Sequence, residues 1–243
     1  MATNVGRRLA LLGLAATLVS AAGCSVVEQK SADTTRGLAA RVGHPMRYRL
    51  AGADPALRAN LDRALDELAA GNHRAALPLL NRALWDVARI RKRDLRLTET
   101  ATVYESLEHA YLAMGMTGFA DEARRMARAL TEAAAREPAT GAAQLLARGK
   151  DAYVSAQFRE AVRRLQQTLI DLEDIADVET RIVYLAETRC YLAFAYFATQ
   201  DRPHVQVELR RLAAHDPSFT ACGQDAPPGV RALIAELRRN NDL

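Results

Sequence analysis

Slid against itself until Leu61 falls on Leu146, the chain meets its own text. In that register Arg63, Asp66 and Arg74 fall on Arg148, Asp151 and Arg159, and Ala76, Leu80 and Leu84 fall on Ala161, Leu165 and Leu169. Asp86, Ile90 and Arg96 fall on Asp171, Ile175 and Arg181, and Ala101, Leu107, Ala110, Tyr111 and Ala113 fall on Ala186, Leu192, Ala195, Tyr196 and Ala198. That is 15 identities over the 56 positions from 61 to 116, without a gap. Alanine-rich text matches itself by chance at some positions; shared Tyr, Arg and Asp are harder to obtain that way. The pattern predicts a duplication, and a duplicated chain must build each half from the same elements.

Those elements read as helices. Apolar residues recur at three- and four-residue spacing, as in Leu61, Leu65 and Leu68, then Leu77, Leu80 and Leu84. Gly71-Asn72 separates the two runs, and Pro138 through Gly141, Pro203 and Pro227-Pro228 punctuate later. No stretch alternates convincingly with the period of a strand. Aromatic residues make up only 5% of a chain that is 49% hydrophobic and rich in Ala, Leu and Arg, which favours helix over a β sandwich.

Within each half the text suggests two helical hairpins. The clearest runs Leu145-Leu146-Ala147-Arg148-Gly149, then Tyr153, Phe158, Ala161 and Leu165. Its first-half counterparts are Ala64, Leu68, His73, Ala76 and Leu80. The spacing of small, aromatic and Ala positions resembles the tetratricopeptide repeat, and Asp216-Pro217 falls where that family ends a unit. The resemblance covers about 58–217. Its internal linkers, near 90–100 and 172–185, are longer than the family's. It implies an all-α, tetratricopeptide-like solenoid of helical hairpins in two duplicated halves, 54–137 and 138–217. Residues 218–243 would follow as a loop and a capping helix.

The N-terminus reads as an address. Arg7 and Arg8 precede 14 apolar or small residues, too short a run to cross a bilayer. Ala21-Ala22-Gly23-Cys24 then resembles the lipobox of bacterial lipoproteins, with Ala21 in place of the usual Leu. The resemblance implies removal of residues 1–23 and lipidation of Cys24; ordinary cleavage nearby with an unmodified Cys24 and a retained membrane helix are the alternatives. Ser25 after the Cys implies, by analogy with Gram-negative lipoproteins, an outer-membrane destination facing the periplasm. Several acyl chains would anchor the protein stably. Residues 24–53 would then be the lipidated Cys and a tether. Without residues 1–23 the formal charge falls from +4 to +2, and a nucleic-acid partner is not expected.

Catalytic text is sparse. None of His44, His73, His109, His204 and His215 lies in a zinc-ligand motif, and there is no GxSxG, P-loop or GxGxxG. No catalytic residue, metal or cofactor is expected. A stack of hairpins instead offers a groove lined by the first helix of each pair. The family's register puts Glu105, His109, Leu112, Lys150, Tyr153, Tyr191, Phe194 and Phe197 there. The last three, at three-residue steps, form either an aromatic ridge for a partner or part of the core. Cys190 and Cys222, the two cysteines after Cys24, could form a disulfide stapling the cap to the stack or remain buried thiols.

One charge feature separates the halves. Residues 86–96 carry a net +3, through Arg89, Arg91, Lys92, Arg93 and Arg96, whereas 171–181 carry −4. Three readings follow. The runs are solvated helix ends; or the basic run meets the acidic one, within a chain or head-to-tail between chains; or the basic patch faces anionic lipid or cell-wall polymer. The function expected is non-catalytic: an envelope lipoprotein acting as a protein-interaction scaffold or assembly factor, with envelope proteins and the membrane as partners. The alternatives are a pilotin-type chaperone of a secretion or pilus system and a cell-wall or polysaccharide factor.

Overall fold

A computed structural model describes residues 55–138, 141–223 and 226–240. The signal segment, Cys24 and the tether to residue 53 lie outside them. Among the described residues every regular element is helical. After a 3-10 turn at Pro55–Arg58 come α1 (Ala59–Ala69), α2 (His73–Val87), α3 (Arg93–Ala113) and α4 (Thr117–Ala134). Then follow α5 (Ala142–Val154), α6 (Phe158–Asp171), α7 (Val178–Ala198) and α8 (Arg202–Ala213), and finally α9 (Pro228–Arg239). Short 3-10 turns at Leu172–Asp174 and Thr220–Cys222 precede α7 and α9. None of these helices is long and apolar enough to cross a membrane.

Consecutive helices pack as antiparallel pairs, α1 on α2, α3 on α4, α5 on α6 and α7 on α8. Small residues let the axes approach. Ala64, Ala76 and Ala161 are wholly buried, and a Cβ placed on Gly149 would sit 2.7 Å from Leu165 Cδ2. Leu80 and Leu165, one layer further on, are also wholly buried.

The turns inside the pairs explain why each helix stops. α1 ends with Gly71 at φ 79°, and α5 ends with Ala156 at φ 58°. In both, the amide that follows the left-handed residue reaches back: Asn72 N–H to Glu67 O and Gln157 N–H to Ala152 O, each 2.8 Å. α3 and α7 end the same way, with Gly115 at φ 72° and Gln200 at φ 62°. These left-handed positions close the helix by satisfying its last carbonyls. Glycine enters that region without strain, whereas a Cβ costs about 1–2 kcal/mol there. Ala156→Gly is therefore expected to stabilise the protein by about 0.5–1 kcal/mol, after the extra unfolded-state entropy of Gly is subtracted. Gly71→Ala is expected to destabilise it by a similar amount. Paired thermal melts check both; a lower melting temperature for Ala156→Gly would refute the account.

α3 and α7 lie at the centre. In α3, Arg96, Leu97, Glu99, Thr100, Val103, Tyr104, Leu107, His109 and Tyr111 are all buried; in α7, Arg181, Leu185, Thr188, Arg189, Leu192, Phe194 and Tyr196 are. A helix buried around its circumference must pair its polar groups internally. Here it does so through arginines. Arg96 Nε bonds Glu173 Oε2 at 2.9 Å, Arg189 bonds Glu208 at 3.0 Å, and Arg58 lies 3.0 Å from Glu99.

Contacts are not confined to neighbouring pairs. α8 reaches α2, where Trp85 Nε1 donates to Arg211 O at 2.7 Å and the indole stacks on His215 at 4.4 Å. α4 reaches α6, where Arg136 holds Asp171 at 2.6 Å. α9 packs on α7, with Phe197 lying against Gly229 so closely that a Cβ there would come within 2.2 Å of the ring. A disulfide joins Cys190 of α7 to Cys222, with 5.4 Å between the Cα atoms.

Candidate functional site

The residues assigned to a groove fall in two separate places. Lys150, Tyr153, Tyr191 and Phe194 come together where α5 meets α7, joined by Phe158 from α6. Tyr153 lies 5.8 Å from Tyr191, 6.0 Å from Phe194 and 5.7 Å from Phe158. Lys150 sits 5.1 Å above the Tyr191 ring and pairs with Glu187. Tyr153 and Tyr191 are half-buried, and burial, followed by the Tyr191 neighbour, pushes the Tyr153 hydroxyl up. Among the described helices α5 packs chiefly on α6 and α7, and Val154 beside the cluster is 79% exposed.

His109 lies elsewhere, on α3, with its ring edge-on to His73 of α2 at 5.4 Å. Burial, then the charge of His73, lowers its pKa. Glu105, one turn earlier, lines a shallow open cleft of about 390 Å³ between α3 and α4, with Glu108, Arg124, Arg128 and Glu132. The lining is mixed in charge, and Arg124 already binds Glu108 and Asp121 at 2.8 Å each. Leu112 is 45% exposed.

Tyr191, Phe194 and Phe197 divide between the two readings, a ridge for a partner and part of the core. Tyr191 is half-buried, Phe194 is buried to 1% and Phe197 is 39% exposed, turned toward α9. Steps of three fall short of the 3.6-residue turn, so each side chain is rotated by about 60° from the last. Three such residues fan across core and surface and do not line up on one face.

The basic patch also divides. Arg91 and Lys92 are exposed, Arg89 is half-exposed beside Asp86 and His215, and Arg93 and Arg96 point inward. Arg93 meets Asp174 at 2.7 Å and Arg96 meets Glu173 at 2.9 Å. The basic run thus meets the acidic run inside one chain. Arg181 completes the knot by donating to Ala88 O at 2.7 Å, to Ile90 O at 3.2 Å and to Ile175 O. Burial, then the neighbouring Arg96 charge, brings Arg181 down to about 10. Burial pushes the Glu173 carboxyl up, against the pull of Arg96 and Arg181.

A second buried cluster has no counterpart in the sequence reading. Glu208 of α8 sits between Arg189 at 3.0 Å and Arg211 at 2.5 Å, all three nearly inaccessible. Arg211 also lies 5.9 Å from the Tyr104 ring. Beside it, His204 reaches Glu122 at 3.2 Å and Asp201 at 2.8 Å. Its only trace in the text is Glu208-Leu-Arg-Arg211, an ordinary-looking helical charge pattern.

Among the described residues no group of three or more His, Cys, Asp or Glu is arranged to hold a metal ion. Among the described residues, buried ion pairs hold helices together, and the α5–α7 aromatic cluster keeps Tyr153 and Tyr191 half-exposed. No family model matches the chain, and no curated protein or solved structure matches it either.

Proposed function

We propose that this chain is a non-catalytic envelope lipoprotein, held to the outer membrane through Cys24, that binds a partner protein at the α5–α7 aromatic cluster. One observation carries the reading: Tyr153 and Tyr191, half-buried and ringed by Phe158, Phe194 and Lys150, sit at an edge where, among the described helices, α5 packs chiefly on α6 and α7. Large aromatics with one face supported and one open are good anchors for a partner's side chains. The ion pairs elsewhere are already matched within the chain, which leaves this cluster as the better anchor.

In this reading the two segments that share a register, Leu61 on Leu146 and onward, are duplicated halves. Several observations support it. α3 and α7, at 93–113 and 178–198, keep the offset at both ends. So do the left-handed turn residues Gly71 and Ala156, and Gly115 and Gln200. Individual hairpins keep the tetratricopeptide-like contact of small residues. The halves, however, pack reciprocally: Arg96 donates to the carbonyl of Glu173, and Arg181 donates to that of Ala88, its counterpart. α2 meets α8 as α6 meets α4. Head-to-tail stacking gives no such reciprocity, whereas a two-fold pair does. The arrangement we propose is a closed pair of halves. In place of one continuous groove it has two equivalent edges, one carrying His73 and His109, the other Phe158 and Phe194.

Crosslinking from bacterial envelopes tests the function, with a photoreactive residue at Val154. The intact lipoprotein is expected to yield one stoichiometric protein adduct, lost in Tyr153→Ala/Tyr191→Ala while the melting temperature stays within a few degrees. Retention of the delipidated protein on insoluble cell wall, with no protein adduct, would replace this reading by the polysaccharide one. Loss of function on Cys24→Ala with the adduct intact would point to pilotin-type delivery.

A further inference from the structure

The contact between α4 and α8 contains a histidine held from both sides. His204 Nδ1 lies 2.8 Å from Asp201 Oδ1, the residue that caps α8, and Nε2 lies 3.2 Å from Glu122 Oε2 of α4. Its ring stacks on Tyr196 of α7 at 4.8 Å and lies tilted against Phe119 of α4 at 4.5 Å. Phe119 in turn packs on Tyr111 of α3 at 5.4 Å. Phe119 falls on His204 in the register that sets Tyr111 on Tyr196, so the row Tyr111–Phe119–His204–Tyr196 reads the same from either half. In one half the position is an inert ring; in the other it titrates. The seam between α4 and α8 therefore holds a titratable ring between two carboxylates.

We propose that His204 is a proton-operated latch joining α4 to α8: the imidazolium bridges Glu122 and Asp201, and loss of its proton releases Glu122. A neutral imidazole keeps only one N–H, so one of the two carboxylates must face a ring lone pair. Asp201 lies closer and is secured by its own bond from the His204 amide at 3.3 Å. The Nδ1 proton therefore stays, and the bond between helices is the one that goes.

The other charged groups around the ring set the direction. Arg211 of α8 and Arg125 of α4 act on Glu122, and Glu208 faces Arg211. The Tyr196 hydroxyl is occupied by Gln166 of α6 at 2.9 Å, and the Tyr111 hydroxyl faces Arg211. Burial alone would lower the His204 pKa; the hydrogen bonds to Glu122 and Asp201, with their charges, outweigh it and raise it. Burial alone would raise Glu122; the His204 bond and the Arg211 charge outweigh it and lower it. A histidine raised above its ordinary value of about 6.5 stabilises the fold fully below that value. The stabilisation is lost as pH rises through the folded-state value. The latch is thus closed in mild acid and opens on the alkaline side.

Hydrogen exchange and thermal melts of the full-length lipoprotein in detergent, from pH 5.5 to 9, test this. His204→Phe copies Phe119 and keeps the aromatic row without the proton. The wild type is expected to lose roughly 2–4 °C more than His204→Phe between pH 6 and 9. The wild-type amides of α4 and of the first turns of α8 are expected to exchange faster, beyond the intrinsic pH effect, only at the alkaline end. Glu122→Gln is expected to move the His204 titration midpoint down, read from its imidazole carbon resonance, whether or not His204→Phe folds well. A wild-type-minus-variant difference that stays flat with pH would overturn the latch. So would a His204 midpoint at or below 6.5 that Glu122→Gln leaves in place.

Discussion

Arg96→Leu is expected to lower the melting temperature by roughly 6–20 °C, the equivalent of about 3–5 kcal/mol for breaking a buried charge pair in a chain of this size. Arg96 is wholly buried, and its guanidinium serves several acceptors. Nε bonds the Glu173 carboxylate at 2.9 Å, Nη1 bonds the carbonyls of Ile90 at 2.5 Å and Arg91 at 3.1 Å, and Nη2 bonds the carbonyl of Glu173. The carbonyls of Ile90 and Arg91 follow the end of α2, where helical partners run out. Leucine fills much of the volume but offers none of these donors. Glu173 would keep the Thr100 hydroxyl at 3.3 Å and the nearby Arg181 charge.

The pH dependence of the loss distinguishes this mechanism from simple cavity formation. Burial already pushes the Glu173 carboxyl up, and removing Arg96 takes away the largest force holding it down. A carboxyl with a raised folded-state pKa stabilises below its unfolded value, and that stabilisation is lost as pH rises through the folded value. The Arg96→Leu deficit should therefore be smaller at pH 5 than at pH 8. Adding Glu173→Leu should recover part of it, because the stranded carboxylate is gone while the carbonyls stay unpartnered. Denaturant melts of the two variants and the wild type at both pH values make the measurement. A deficit that is equal at both, or a double variant worse than the single one, would remove the ion pair from the account.

Arg96 also shows how far the sequence carried. Its alignment with Arg181 is one of the 15 shared identities, and the opposed runs 86–96 and 171–181 allow a pairing within the chain beside the plainer reading of solvated helix ends. What the text does not contain is the depth of that pairing. Glu99, Glu173 and Glu208 look like members of a polar helix face, because buried and exposed acids carry the same letter. Only partners from other elements, Arg58 for Glu99 and Arg96 for Glu173, make burial tolerable. Helix starts and stops were more legible. The apolar spacing and the glycines at 71 and 115 are local signals, whereas Ala156 and Gln200, which also take left-handed conformations, carry no such signal in the text. The candidate site was legible in part. Lys150, Tyr153, Tyr191 and Phe194 do meet, but Phe197 was grouped with them by a three-residue step that a helix turns away from the others. Phe158 was recognised as a hairpin marker and not as a member of the cluster.

Removing the disulfide, by Cys190→Ala/Cys222→Ala or by reductant, is expected to cost about 3–4 kcal/mol, or roughly 6–16 °C in melting temperature. The bridge spans 32 residues, so opening it releases a loop containing the end of α7, all of α8 and the segment to Cys222 in the unfolded chain. Longer loops gain more unfolded-state entropy on release, which is the source of the estimate. The native side adds a local term. Asp216 organises the approach to Cys222 by accepting from the Ser218 amide and hydroxyl, the Thr220 hydroxyl and the Ala221 amide at 2.5–3.1 Å. Burial would raise the Asp216 pKa, but these bonds outweigh it and bring it to about 2. That turn is expected to persist after reduction, and so is the contact of Phe197 with Gly229. The loss should therefore appear first as faster hydrogen exchange in residues 218–240, with α3 unchanged, and only then as a lower melting temperature. If reduction leaves the melting temperature unchanged, the loop is already constrained by other contacts in the unfolded chain. If α3 and α9 instead open together, the bridge supports the whole bundle and is not merely a tie between α7 and the C-terminal helix.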